Sequence, residues 1–361
     1  MHAKAFTGSH DTRAAFAYNQ RMVDMSENPA PDARLIEIPY VDATEGGPLT
    51  VAQAETARLM AIVTQGRQKY GTLAIGLGDV VSRLWLRRQR NALYDEINDV
   101  AGEAGRFGAW LLNLSYEWTC TTGAGPDPSG TGNRMLRTLD WPMDGLGETV
   151  VVAKFKGKAG TYFNVTWPGF VGVVTAMAPG RFSAAINQPP FRKWTRSCWV
   201  DWAINRGRLL ASTHTPPTHL LRDIFDTCAT YDEAKERLTE TPLAMPAFFT
   251  LSGTTPDQSC LIEREETKAS VQDGPTACAN HWTTCNVPER YRGFDSPGRL
   301  QMMSESRDTI ADGFDWVHEP ILNATTRLAV VANALEGKLW VRGYERDGRV
   351  TEDFQRPRST R

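Results

Sequence analysis

The sequence predicts an α+β fold, helical in its first third and strand-rich after that. Three observations predict it. Apolar residues recur at helical spacing between Thr50 and Gly105, short apolar runs divided by turn residues follow from Arg134 onward, and two helical stretches, 194–211 and 218–238, interrupt those runs. With 361 residues, 41% of them hydrophobic and 23% charged, and a formal net charge of -2, the chain reads as an ordinary globular protein with no call for nucleic acid or an anionic membrane. No internal repeat or linker divides it, so one domain is expected.

Residues 1–33 are polar, end in Asn28-Pro-Ala-Pro-Asp, and read as a flexible lead-in. Residues 34–42 alternate apolar and polar, as a strand does. Val51, Ala54, Leu59, Ile62 and Val63 share a helical face, and with breaks near Gly71 and Gly76 the stretch to Gly105 gives two or three helices. A further helical stretch, 109–118, delivers the chain to Cys120, so 34–119 forms one helical segment. Residues 123–132 hold four glycines and two prolines and read as a hairpin loop. Strands are expected at 134–140, 148–155, 162–167, 169–176 and 181–187, close enough in sequence to pair antiparallel. The helices at 194–211 and 218–238 would cover one face of that sheet. Strands at 248–252, 258–263, 269–272, 278–282, 328–334 and 339–343 would build a second sheet, with a helix at 304–314. The body of the chain is thus 120–350, and 351–361 is a loose polar tail.

The longest apolar run, 70–86, is interrupted by Asp79 and Arg83 and is too short and too charged to span a bilayer. The N-terminus shows no apolar signal core, which points to a cytoplasmic, reducing compartment and leaves contact with a membrane surface open. The six cysteines, Cys120, Cys198, Cys228, Cys260, Cys278 and Cys285, are accordingly read as free thiols.

The chemistry centres on Leu114-Ser-Tyr-Glu-Trp-Thr-Cys-Thr-Thr. A cysteine in mid-chain is usually a small buried hydrophobe. Freed as an N-terminus by cleavage of the Thr119–Cys120 bond, Cys120 would carry its own base, because an α-amine with a pKa of about 8 then lies within reach of the thiol. Arg137 and Asp140, three residues apart on a strand, are either a surface ion pair or a pair in which Asp140 orients the new amine and Arg137 favours the thiolate. Asn187 and Asn280 each end an apolar strand; they are turn residues, or amide donors that converge on an oxyanion. Arg299, in Asp295-Ser-Pro-Gly-Arg, is a structural or a site arginine, and the sequence favours neither. Cys278-x2-His281-x3-Cys285 approaches zinc spacing but lacks a fourth ligand. No Walker loop, Gly-x-Gly-x-x-Gly or Gly-x-Ser-x-Gly occurs, so neither a metal nor an organic cofactor is expected.

Taken in order over residues 36–343, five stretches resemble the cysteine N-terminal-nucleophile (Ntn) hydrolases, in particular their acid ceramidase and N-acylethanolamine acid amidase branch, with kinship to penicillin acyltransferase and bile salt hydrolase. They are Leu112-Asn-Leu-Ser-Tyr-Glu-Trp-Thr-Cys-Thr-Thr, Arg137-Thr-Leu-Asp-Trp, the run from Phe170 to Asn187, Cys278-Ala-Asn-His-Trp, and Asp295-Ser-Pro-Gly-Arg. The resemblance implies a four-layer αββα sandwich of two antiparallel sheets and self-cleavage before Cys120. It implies an α fragment that stays associated with a catalytic β fragment, and a small-molecule N-acyl amide substrate cleaved through a cysteine thioester. Acyl transfer from the same thioester, or a non-catalytic ligand-binding member of the fold, are the alternatives. By position, Cys120 resembles the nucleophile, Asp140 the partner of its amine, Arg137 and Arg299 the site arginines, and Asn187 and Asn280 the oxyanion donors. One departure is Leu136-Arg-Thr-Leu-Asp, where the family has Gly-Arg-Asn-Leu-Asp; Arg137 and Asp140 survive it. Trp141, Trp167 and Phe248 are candidates for the acyl pocket or for the core.

Overall fold

The computed structural model describes residues 35–356 apart from 106–107, 129, 310–312 and 347, so the expected lead-in at 1–33 lies outside it. No helix among the described residues is long and apolar enough to cross a membrane. Six strands, Asn133–Asp140 (β3), Thr175–Ala178 (β6), Phe182–Asn187 (β7), Ala247–Ser252 (β8), Ser259–Arg264 (β9) and Thr326–Asn333 (β12), are buried at every position. Strands apolar on both faces must be covered on both faces. That requirement produces the layers.

The first sheet runs in the order Tyr40–Asp42 (β1), Val151–Gly157 (β4), Gly160–Thr166 (β5), Thr175–Ala178 (β6), β7, β8, Ser259–Arg264 (β9) and Ala269–Asp273 (β10). Only the β1–β4 pair is parallel. The second sheet runs Thr276–Cys278 (β11), Thr119–Pro126 (β2), β3, β12, Lys338–Glu345 (β13) and Gly348–Arg349 (β14), with Phe354–Arg356 (β15) also on β13. Met135, Leu139 and Val330 of the second sheet meet Val152, Phe163, Val165 and Ala185 of the first in one core. On the outer face of the first sheet, Leu221, Ile224 and Phe225 of the helix Pro217–Thr227 and Leu238 of Tyr231–Glu240 pack over Val151, Ala153 and Phe249. Met303 of the helix Ser296–Thr309 packs over Leu136 and Val331 on the outer face of the second sheet. The result is an αββα sandwich. The N-terminal helices contribute Leu59, Trp85, Ile97 and Trp110 to the core between the sheets.

Several expectations change. The strands after the helical pair do not make the second sheet by themselves, because β8, β9 and β10 extend the first sheet from the free edge of β7. Of the two helical stretches, only the second covers the sheet, and it breaks into two helices at 228–230. The first begins at Cys198, and its buried residues are only Asp201 and Leu209, with Trp199 and Trp202 exposed. The helix before Cys120 stops at Leu112, so 113–118 is irregular, and β2 continues to Pro126 into the expected loop. The tail is not loose as far as it is described: Thr351 is buried and Phe354 pairs with Val341.

Gly147 shows how closely the second sheet is clasped. A Cβ there would collide with the backbone of Tyr344, and the Gly147 N–H donates to Glu345 Oε1 at 2.8 Å. Gly147→Ala is therefore expected to destabilise the fold by about 1–3 kcal/mol, read as a Tm lowered by several degrees in calorimetry. An unchanged Tm would contradict the clasp.

Candidate active site

Strand alternation decides which groups meet. In β2 and β3, Cys120 pairs with Leu139 and Thr122 with Arg137, while Thr119 pairs with Asp140 and Thr121 with Thr138. Successive side chains on a strand point to opposite faces, so Arg137 and Asp140 are directed to different sides of the sheet. On the inner side Arg137 Nη2 donates to Cys120 Sγ at 3.2 Å and to Ile186 O at 3.2 Å. The thiol itself donates to Ile186 O at 3.5 Å. Thr122 Oγ1 donates to Asn187 Oδ1 at 2.6 Å, tying β2 to the first sheet.

On the outer side Arg299 gathers the remaining residues. Its Nη1 donates to Cys120 O at 2.9 Å, Thr121 Oγ1 at 2.9 Å and Asp140 Oδ2 at 3.4 Å, and its Nη2 donates to Asn280 Oδ1 at 3.0 Å. Cys120 N donates to the same Asn280 oxygen at 2.9 Å. Since a backbone N–H and a guanidinium can only donate, the atom of Asn280 facing them must be its oxygen. Its Nδ2 donates to Gln188 O at 2.7 Å, and Asn187 Nδ2 donates to Cys278 O and Ala279 O at 3.2 and 3.1 Å.

The six residues singled out in the sequence, Cys120, Arg137, Asp140, Asn187, Asn280 and Arg299, are thus brought together, all buried, but in a different division of contacts. In the intact chain Cys120 N is met by Asn280 and not by Asp140, which accepts from Thr326 Oγ1 at 2.8 Å and Thr119 Oγ1 at 3.4 Å. Both asparagine NH2 groups are engaged with carbonyls. The groups left with spare donors are those of Arg137, whose Nε and Nη1 are buried without a partner.

Burial pushes the Cys120 thiol up to about 11, against the pull of the Arg137 cation beside it. The same burial lowers Arg137. Cys120 is accordingly a neutral thiol at pH 7 in the intact chain.

Other residues hold the site without having been visible in the sequence. Arg292 Nη2 donates to Tyr116 O at 2.8 Å and Trp118 O at 3.1 Å, fixing the segment that leads into Cys120, where Tyr116 sits at φ 48°. Ser296 Oγ accepts from Asn280 N at 2.8 Å; its place within Asp295-Ser-Pro-Gly-Arg was the one available signal. Glu263, fully buried, accepts from the backbone and hydroxyls of Thr283 and Thr284 and from Cys285 N, anchoring the loop beyond Asn280. Cys278 packs with Phe248 and Leu261, His281 Nδ1 turns to Ser296 Oγ, and no group of three potential metal ligands assembles among the described residues. Trp141 packs in the core against Trp118 in a tilted pair and against Trp167 edge-on, and Phe248 is buried edge-on to Trp282. A cleft beside the site is lined by Tyr116, Gln188, Phe191, Arg206, Met245 and Trp282 among others.

No family model matches the chain. It is similar to N-acylethanolamine-hydrolyzing acid amidase of Oryctolagus cuniculus, 28% identical over 169 residues that make up 46% of this chain and 43% of that protein. It is also similar to acid ceramidase of Homo sapiens, 27% identical over 100 residues, or 28% of this chain and 24% of that protein. The matches span less than half the length of these curated relatives. Among solved structures, an N-acylethanolamine-hydrolyzing acid amidase ortholog of Caenorhabditis elegans has a TM-score of 0.47 and 19% identity over 60% of this chain and 93% of that one. Penicillin V acylase of Agrobacterium tumefaciens has a TM-score of 0.38 and 12% identity over 67% and 87%.

Two outcomes follow from the geometry. In intact chain at neutral pH, iodoacetamide should alkylate the exposed Cys198 at least about tenfold faster than the buried, neutral Cys120, measured by peptide mass spectrometry; comparable rates would refute the sealed site. Arg299→Leu leaves Asp140 buried and uncompensated, so urea unfolding should show a loss of about 3–5 kcal/mol, whereas a loss below about 1 kcal/mol would show the pair to be incidental.

Proposed function

We propose that this relative of the acid ceramidase and N-acylethanolamine acid amidase branch of Ntn hydrolases cleaves N-acyl amides through a thioester on Cys120, after cutting its own chain before that residue. The observation that carries the reading is the convergence on one buried cysteine of a guanidinium at its sulfur and a side-chain carbonyl at its nitrogen. A sulfur needs the first to become a thiolate, and an N-terminal amine would use the second for orientation.

In the maturation step Cys120 Sγ attacks the Thr119 carbonyl carbon. The new S–C bond replaces the C–N bond, the nitrogen takes the thiol proton and becomes the α-amine, and water hydrolyses the thioester to a Thr119 carboxylate and a free thiol. The amine, still beside Asn280 Oδ1, then takes the thiol proton as the thiolate attacks a substrate carbonyl. Arg137 stabilises that thiolate, and its unpartnered Nε and Nη1 are donors available to the oxyanion. This changes the roles expected for Asn187 and Asn280, which position the site through carbonyl-bound amides; Asp140 acts on the amine through Arg299. The amine protonates the departing amine of the substrate, and water releases the acid. Cleavage need not separate the fragments, because Leu59, Trp85 and Trp110 share one core with residues after Cys120.

Purified protein is expected to run as fragments 1–119 and 120–361 that co-purify, and Cys120→Ala as a single inactive chain. Intact-mass analysis after incubation at neutral and mildly acidic pH checks the first point, and only full-length wild type would sink self-processing. Hydrolysis of N-lauroyl ethanolamine undiminished in Cys120→Ala would sink the nucleophile.

A further inference from the structure

The core between the two sheets is polar along one row. In β7 and β8, Phe182, Ala184, Ile186, Phe249 and Leu251 pack outward under the helices, so Ser183, Ala185, Thr250 and Ser252 face inward. By the same alternation Thr175 of β6 and Ser259 of β9 face inward. The register sets these residues side by side: Ser183 opposes Ser252, Ser252 opposes Ser259, and one rung along Ala185 opposes both Thr175 and Thr250. Among the described residues the hydroxyls of Thr175, Ser183, Thr250 and Ser259 are buried without a hydrogen-bond partner. Ser252 Oγ donates to Asn133 Oδ1 at 2.7 Å, and Asn133 Nδ2 donates at 3.1 Å to the carbonyl of Pro256 in an exposed loop. The other end of the row reaches the site, because the residue after Ala185 is Ile186, whose carbonyl accepts from Arg137 Nη2 at 3.2 Å.

A buried hydroxyl left without a partner costs stability, and four in adjacent rungs would each carry that cost. The ligand that fits them is water. A hydroxyl both donates and accepts, the unpartnered Nε and Nη1 of Arg137 only donate, and a water can answer both. Ala185 and, on β2 across the layer, Ala124 keep the side chains here small. The cleft on the other side of the site has a different use: its Tyr116, Phe191 and Trp282 suit an acyl chain, and a leaving amine departs through it. While a thioester stands, water arriving along the row meets neither.

Resting on the amide-cleavage reading above, we propose that this hydroxyl row binds a file of water between the Pro256 loop and Arg137, and that the water deacylating Cys120 is drawn from it. The water oxygen bonds to the thioester carbonyl carbon and the C–S bond breaks. One water proton passes through the α-amine to the departing sulfur, and the other remains on the acid. Thr250 and Ser183 are positioning residues in this step: they hold the file and touch neither substrate nor sulfur.

The test separates acylation from deacylation on the purified protein. p-Nitrophenyl laurate acylates Cys120 with a burst of p-nitrophenol. O-Benzylhydroxylamine, too bulky for the row, then competes with water from the cleft side and gives a hydroxamate in place of laurate. In Thr250→Val, which keeps the shape and removes the hydroxyl, the hydroxamate-to-laurate ratio should rise at least about fivefold with the burst rate unchanged. Tm should fall, since a water-bound hydroxyl is lost. An unchanged ratio overturns the proposal, and so does a raised Tm, the result of deleting an unpartnered hydroxyl from a dry core. Ser183→Ala, read in the same way, decides the matter if Thr250→Val does not fold. Turnover of N-lauroyl ethanolamine on the same samples separates the two readings. A raised ratio without amide hydrolysis overturns amide cleavage alone, and amide hydrolysis with an unchanged ratio overturns the water route alone. A wild type that neither donor acylates overturns both.

Discussion

A single guanidinium fixes the geometry around Cys120. Arg299 is fully buried and donates into four separate stretches of chain: β2 at Cys120 and Thr121, β3 at Asp140, the turn at Asn280, and its own approach at Phe294 O, 2.6 Å away. Such a charge is tolerable only when paired and fully hydrogen-bonded, and Asp140, 1% exposed, supplies the counter-charge. Because Arg299 and Cys120 N share one oxygen of Asn280, that amide cannot turn without breaking both bonds. Both sheets and the helix Ser296–Thr309 are thereby held in register around one peptide bond, Thr119–Cys120.

Much of this was legible in the sequence, for identifiable reasons. Runs such as 181–187, 248–252 and 328–334 announced themselves because a strand buried on both faces is largely apolar and is bounded by turn residues. Sheet membership was not legible. Whether 248–273 starts a new sheet or extends the old one depends on which edge β7 leaves free, and no local spacing encodes that. The division between Arg137 and Asp140 was legible: a separation of three on a strand puts two side chains on opposite faces, so the two serve different sides of Cys120.

The polar residues missed by the sequence reading share one property, which is that their partners are remote in the chain. Arg292 is recognised by the carbonyls of Tyr116 and Trp118, and Glu263 by the backbone of the loop at 283–285. Backbone partners leave no compositional trace. The helix Cys198–Ala211 misled for a related reason. It was expected to cover the sheet, yet Trp199 is 79% exposed, and the helix serves as a wall of the cleft through Asn205, Arg206 and Leu209.

Reactivity and protection at Cys120 follow from the same burial. While the chain is continuous, its nitrogen is an amide with no basicity, and burial holds the thiol neutral despite the adjacent Arg137. In a continuous chain the proposed nucleophile therefore lacks the α-amine that would serve as its base. The Thr119 carbonyl is covalently adjacent, so attack there has the advantage of proximity that an external substrate lacks. In the proposed maturation, opening that bond would give the nitrogen a lone pair at the position Asn280 already holds, with a basicity suited to neutral pH. The two unpartnered N–H groups of Arg137 complete the logic. Left unsatisfied, they cost the resting fold stability, and the proposed oxyanion beside Cys120 would supply the acceptor they lack.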